Sequence, residues 1–187
     1  MSEARERRVA GPPSRPLRFV GDEAAEALAA PVAWPLDLSL RTKTVIALIG
    51  CIAFAATLAF HNLGARGIFS PAEARYSLIA RQMVESGDWV QPRLNEVRYD
   101  EKPPLLYWTI AAAYRWLGQS DFTSRLPSAL AYVATSGLTF WIAYDLVGAS
   151  VAPLAALVYA TSVGTFLFGR FVFTDTVLIA CTTLSLR

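Results

Sequence analysis

A chain of 187 residues that is 54% hydrophobic and only 17% charged has too few charges to cover a soluble globule, and its apolar residues fall in long blocks. A formal net charge of +2 gives no support for nucleic acid as a partner. What remains is an all-α integral membrane protein, with about four transmembrane helices and amphipathic juxtamembrane helices in the first outer loop.

Residues 1–43 read as a flexible tail. Arg5, Arg7, Arg8, Arg15 and Arg18 alternate with Pro12, Pro13 and Pro16, a composition that cannot bury a core. Residues 44–63 contain no Asp, Glu, Lys or Arg and would rise about 30 Å as a helix, the thickness of a hydrocarbon core. The run starts too far in and is too long for a signal peptide, so it is expected to stay as an anchor. Arg41 and Lys43 immediately before it favour a cytoplasmic N-terminus, which puts the loop 64–123 outside. Spans are expected at 44–63, 125–146, 151–169 and 172–187, making residues 44–187 one membrane domain. Cys51 and Cys181 lie in apolar spans and form no metal motif, and His61 stands alone at a span end.

The first loop carries its own structure. Ser70-Pro71-Ala72-Glu73 has the pattern of a capping box with proline at the first helical position, and Gly87 is a natural stop. Between them Ala72, Tyr76, Ile79, Ala80 and Met83 share one face, while Arg75, Arg81 and Glu85 lie away from it, as expected of a helix on a membrane surface. Residues 104–117, rich in Tyr and Trp, read as an interfacial or re-entrant helix, with Trp89, Trp108 and Trp116 as belt residues. The stretch Tyr99-Asp100-Glu101-Lys102-Pro103-Pro104 sets two carboxylates and an ammonium directly against that aromatic run. Charge in such a place is costly and tends to mark function, although Lys102 could simply anchor a helix end. Asp175 interrupts the last apolar block in the same way, or serves as a helix cap.

Taken in order, Glu73-Ala74-Arg75-Tyr76, Ile79-Ala80-Arg81-Gln82-Met83, Ser86-Gly87-Asp88-Trp89, Glu101-Lys102-Pro103-Pro104-Leu105-Leu106-Tyr107-Trp108, Arg125-Leu126-Pro127-Ser128-Ala129, Gly169-Arg170 and Thr174-Asp175 resemble the first-loop region of the polyprenyl-phosphate-dependent GT-C glycosyltransferases. That group includes the bacterial aminoarabinose lipid A transferases and the protein O-mannosyltransferase-like enzymes. The resemblance runs from about residue 66 to the end. It implies the N-terminal part of a multi-span bundle, multi-pass in the plasma (inner) membrane. It also implies transfer of a sugar from a polyprenyl-phosphate carrier to a lipid or protein acceptor at the outer face.

Carried over by position, the resemblance makes Glu101 the carboxylate of a divalent metal site and Lys102 the group facing the carrier phosphate. Asp175 becomes a second outer carboxylate, and Arg75 and Tyr76 belong near the substrate. Glu73 joins Asp175 as a candidate catalytic carboxylate. One departure matters: where the family pattern has an Asp directly before Glu73, this chain has Ala72, which can neither accept a proton nor bind a metal. Asp100 is an extra carboxylate. The chain is also much shorter than the enzymes it resembles, so it is expected to be a fragment that is inactive alone. The rival readings are a non-catalytic, partner-binding relative and a piece of a transporter.

Overall fold

The computed structural model describes residues 39–68 and 70–186. The expected tail therefore lies almost entirely outside the described residues. Among the described residues the protein is helical, with one two-stranded ribbon.

Helix α1, Leu40–Phe60, starts at Ser39, whose side chain accepts a hydrogen bond from the Thr42 N–H. It is apolar all round, as a helix facing lipid or helices on every side should be. Its buried residues are the small Cys51, Ala55 and Ala59, the type that lets helix backbones approach closely in a membrane. Helix α2, Pro71–Ser86, begins with proline at its first position and ends at Gly87, whose φ of 73° is the left-handed conformation that glycine adopts without strain. A short antiparallel ribbon follows, β1 Arg93–Leu94 and β2 Val97–Arg98. It turns through Asn95 and Glu96, both at positive φ, 51° and 69°.

Helix α3, Leu105–Leu117, is capped by Pro104 and lies against α2. Helix α4, Asp121–Val147, is the centre of the bundle, packing on α1, α3 and each of the helices after it. A reciprocal cap between Ser120 and Thr123 starts it, and Pro127 sits in its interior. Next come α5, Ala152–Thr161, α6, Val163–Arg170, and α7, Thr174–Ser185.

Helices α1 and α4 are long and apolar enough to cross a membrane; α5 and α6 together form a third candidate, bent by 63° at their junction. The sequence reads 151–169 as one straight span. The structure breaks it at Ser162, whose ψ of 126° leaves the helical region. The segment expected as a fourth span contains a helix of 12 residues, Thr174–Ser185.

One core lies under the first loop and joins α2, the ribbon and α3 through Tyr76, Ile79, Met83, Tyr99, Leu106, Tyr107, Ile110 and Tyr114. Val172, from the turn between α6 and α7, completes it. The apolar face of α2 is thus used within the protein, against α3. Gly169 allows a close approach at the other side of that turn, since a Cβ there would meet the Tyr132 ring carbons at 2.7 Å.

Candidate functional site

Two arginine–carboxylate pairs organise the first loop. The first is internal. Arg125, on α4, donates from Nε to Glu73 Oε1 at 3.0 Å and from Nη2 to Glu73 Oε2 at 3.2 Å. Both side chains are sealed, 1% and 0% exposed. The remaining guanidinium donors reach the carbonyls of Leu63, Arg66 and Gly67. Glu73 Oε1 also accepts the backbone N–H of Val172 at 3.1 Å. One buried ion pair therefore ties the loop after α1, the start of α2, α4 and the α6–α7 turn.

This changes two expectations for Glu73. It does not close a capping box, because the Ser70 side chain makes no cap bond and Glu73 turns inward. Nor is it presented as a catalytic carboxylate. Its oxygens are taken up by Arg125 and Val172, and it is closed to substrate and solvent alike.

The second pair is at the surface. Arg75 Nη1 lies 3.8 Å from Glu101 Oε2, with side chains 43% and 68% exposed. The Tyr99 hydroxyl donates to the same oxygen at 2.9 Å. Its hydrogen bond with Tyr99, and beyond that the charge of Glu101, holds the Arg75 guanidinium above its ordinary pKa, so it stays cationic. Burial pushes the Tyr99 phenol up, so it stays protonated and able to donate. Tyr99 is 7% exposed. It packs edge-on to Tyr107, with ring centroids 6.2 Å apart, and Tyr76 lies 5.7 Å from Tyr107 on the other side. The aromatic core thus fixes the backbone from Tyr99 into Glu101.

Lys102 follows at once, exposed, and among the described residues it has neither an ion pair nor a hydrogen bond. Pro103 and the Pro104 cap of α3 restrict the chain just beyond it. Asp100 is occupied differently: its carboxylate pairs with Arg98 at 2.6 Å. Ala72 is half-buried and packs against the aromatic core. Asp175 is exposed in the first turn of α7, and among the described residues it too has no partner. It is not the cap, which is Phe173. Asp175 stands three residues past Val172, and Val172 belongs to the core that holds Tyr76, Tyr99 and Tyr107. The sites at residues 75–76, 99–102 and 175 are therefore anchored on one core.

A metal needs several ligands. Among the described residues no group of three or more His, Cys, Asp or Glu side chains could hold one. Glu101 offers a single carboxylate, already bonded to Tyr99 and facing a guanidinium. The residues present do not by themselves fit a divalent cation.

Comparison with known proteins now adds to the geometry. The profile of the family described as dolichyl-phosphate-mannose-protein mannosyltransferase matches residues 44–187. The chain belongs to this family. Among curated family relatives, it is 37% identical over 110 residues to an undecaprenyl phosphate-alpha-4-amino-4-deoxy-L-arabinose arabinosyl transferase of Pectobacterium carotovorum, covering 58% of this chain and 20% of that protein. The enzyme of the same name from Shewanella sediminis is 42% identical over 86 residues, 46% of this chain and 15% of the relative. The chain thus spans about a fifth of the length of the curated relatives it matches. Among solved structures it resembles ArnT from Cupriavidus metallidurans in the apo state, with a TM-score of 0.68, 29% identity, and coverage of 73% of this chain and 25% of that one. The same protein bound to undecaprenyl phosphate matches with a TM-score of 0.64 and 28% identity. The shared fold is that of a multi-span membrane protein.

The sequence singled out Arg75, Tyr76, Glu101, Lys102 and Asp175, and missed what Arg125 and Arg170 do. Arg125 stands at the threshold of one apolar block and Arg170 between two others, which was the available signal, since an arginine there must find partners. Arg170 finds them at the end of α1, donating to the Leu58 carbonyl at 2.7 Å and the His61 carbonyl at 2.6 Å.

Proposed function

We propose that this chain forms the carrier-binding first-loop region of a sugar transferase that uses a polyprenyl-phosphate-linked donor and a lipid or protein acceptor at the outer membrane face. The observation that carries the reading is Lys102. It is an exposed, uncommitted ammonium, held beside an aromatic core by two prolines, in a chain that resembles a structure bound to undecaprenyl phosphate.

The chemistry asks for what these residues offer. The bond between the sugar anomeric carbon and the phosphate oxygen breaks, and its electron pair leaves with the phosphate. Lys102 meets the charge that develops there, and a fixed cation placed where charge develops is the most effective kind of stabilisation. An acceptor oxygen forms the new bond to the same carbon. Where that oxygen is a hydroxyl, its proton passes to Asp175, the exposed carboxylate left uncommitted. Arg75 and Tyr76 border the site, with Arg75 held by Tyr99 and Glu101. No step of this reading runs through a metal.

Ala72 favours a second reading, a family member that binds the carrier without transferring the sugar. A transfer assay separates the two. Membranes containing the chain in a form extended to the length of its relatives are supplied with polyprenyl-phosphate-linked sugar and acceptor. Transfer that falls with Asp175→Asn and rises with Ala72→Asp supports the enzyme. Carrier binding without transfer in every form supports the second reading. The 187 residues alone are expected to bind carrier and not to turn over, because substrates are not held in reacting geometry without the rest of the cavity.

The orientation is part of the proposal. Arg41 and Lys43 before α1 place the N-terminus on the cytoplasmic side and the first loop outside. With Cys51 and Cys181 replaced by alanine, Ser86→Cys is expected to react with an impermeant thiol reagent added outside intact cells. Labelling of Ser150→Cys instead reverses the orientation.

A further inference from the structure

The turn from α6 into α7 carries more restraints than joining two short helices requires. Gly169 sits against the Tyr132 side chain, where a Cβ would come within 2.7 Å. The Val172 side chain is sealed in the aromatic core, and its N–H donates to Glu73 Oε1 at 3.1 Å. Beyond the turn Thr176 is buried, and its hydroxyl reaches back to the Phe168 carbonyl at 3.0 Å. Asp175 lies between these last two anchors and is exposed. A carboxylate on a loose turn would sample many positions, whereas one set between buried anchors is held in place.

Glu73 joins this turn to α2. It lies in the first turn of that helix, just before Arg75 and Tyr76. Arg125 bonds both of its oxygens and is itself tied to the carbonyls of Leu63, Arg66 and Gly67. The carboxylate therefore cannot rotate without breaking several buried bonds. A buried N–H left without an acceptor is costly, so the turn stays where the carboxylate is. One side chain thus fixes two stretches 99 residues apart, the start of α2 with Arg75 and Tyr76 and the turn that leads to Asp175. The Arg125 contacts already satisfy the buried charge. The bond to Val172 adds a fixed place for the turn.

We propose that Glu73 is a positioning residue, which through its bond to the Val172 N–H sets Asp175 at a fixed place relative to Arg75 and Tyr76. Glu73 itself touches no substrate and exchanges no proton. The inference rests on the transferase reading, in which Asp175 receives the proton of the acceptor.

The test separates the bond to Val172 from the charge pair. Glu73→Leu with Arg125→Met removes the acceptor and strands no charge, while Glu73→Gln with Arg125→Met keeps a carbonyl oxygen for the Val172 N–H. Should the leucine double variant not fold, an ester in place of the Val172 amide removes the N–H alone and leaves the ion pair whole. Spin labels at Ala74→Cys on α2 and at the native Cys181 on α7, both exposed, with Cys51→Ala, report the distance between the two helices in the purified chain. Transfer kinetics are read in the extended form. The leucine double variant, or the ester, is expected to broaden the distance distribution and to lower kcat on the order of 10²-fold, the cost of misplacing a group by about an ångström, with the carrier KM little changed. The glutamine double variant should keep the narrow distribution and most of kcat, a rescue that a purely structural role would not give. A distribution as narrow without the bond as with it overturns the proposal. So does a broadened distribution with unchanged kcat in an enzyme that Asp175→Asn disables, a result that leaves the transferase reading standing. Transfer that is absent, or indifferent to Asp175→Asn, overturns that reading, and the inference falls with it.

Discussion

Glu73–Arg125 and Glu101–Arg75 are the same pair of residue types in opposite settings, and the contrast separates a pair that holds this protein together from one that stays open at its surface. In the first, two sealed side chains saturate each other and four pieces of backbone. In the second, two exposed side chains stand 3.8 Å apart with their remaining capacity open. Burial makes the inner pair costly to break, because removing one partner strands a charge in a low-dielectric site. Exposure makes the outer pair cheap to break and free to exchange partners.

The largest effect should come from breaking the inner pair. Glu73→Ala or Arg125→Ala is expected to cost about 3–5 kcal/mol of stability, the usual penalty for an orphaned buried charge. Thermal melting in detergent measures it. The double substitution Glu73→Leu with Arg125→Met should recover much of the loss, since the stranded charge is gone; a double variant as unstable as the sum of the singles would refute the assignment. Next in size, Asp175→Asn in an extended form should lower transfer by about 10²–10⁴-fold, the range for a group active in proton transfer, with melting unchanged. Then Arg75→Ala should leave melting unchanged and weaken carrier binding modestly. A large loss of stability there would erase the difference between the two pairs.

The smallest effect concerns pH. The N–H groups of Gln91 and then Val90 donate to Asp88 and hold its carboxyl below the usual range. A carboxyl depressed in the folded state stabilises above its unfolded pKa of about 4, and that contribution is lost as pH falls through the folded value. Asp88→Asn should therefore flatten the acid limb of a melting-temperature profile and leave melting at pH 7 slightly lower. An unchanged acid limb would remove Asp88 from the turn that leads into the ribbon.

Much of α2 was legible because its signals are local. Tyr76, Ile79, Ala80 and Met83 repeat at helical spacing and are all buried, and Gly87 ends the helix in the left-handed conformation. Glu73 was misread because the deciding partner, Arg125, is 52 residues away. A local capping rule cannot see a tertiary ion pair that turns the same carboxylate inward. The ribbon went unread because Asn95-Glu96 turns at positive φ without a glycine to announce it. The bend at Ser162 is marked only by the uncharged Thr161-Ser162 pair and Gly164, which do not interrupt the block by charge. Of the candidate site, Arg75, Glu101 and Tyr76 are brought onto one aromatic core with Tyr99, a residue singled out only as the start of the charged stretch. Its role depends on the burial of its ring.

The most direct test of the division between the holding pair and the open surface is the dissociation constant of undecaprenyl phosphate for the purified chain in nanodiscs, with and without Lys102→Ala. The account predicts at least about tenfold weaker binding, the loss of one charge-assisted phosphate contact, with an unchanged melting temperature. Equal affinity for the two proteins would contradict it and remove Lys102 from the site.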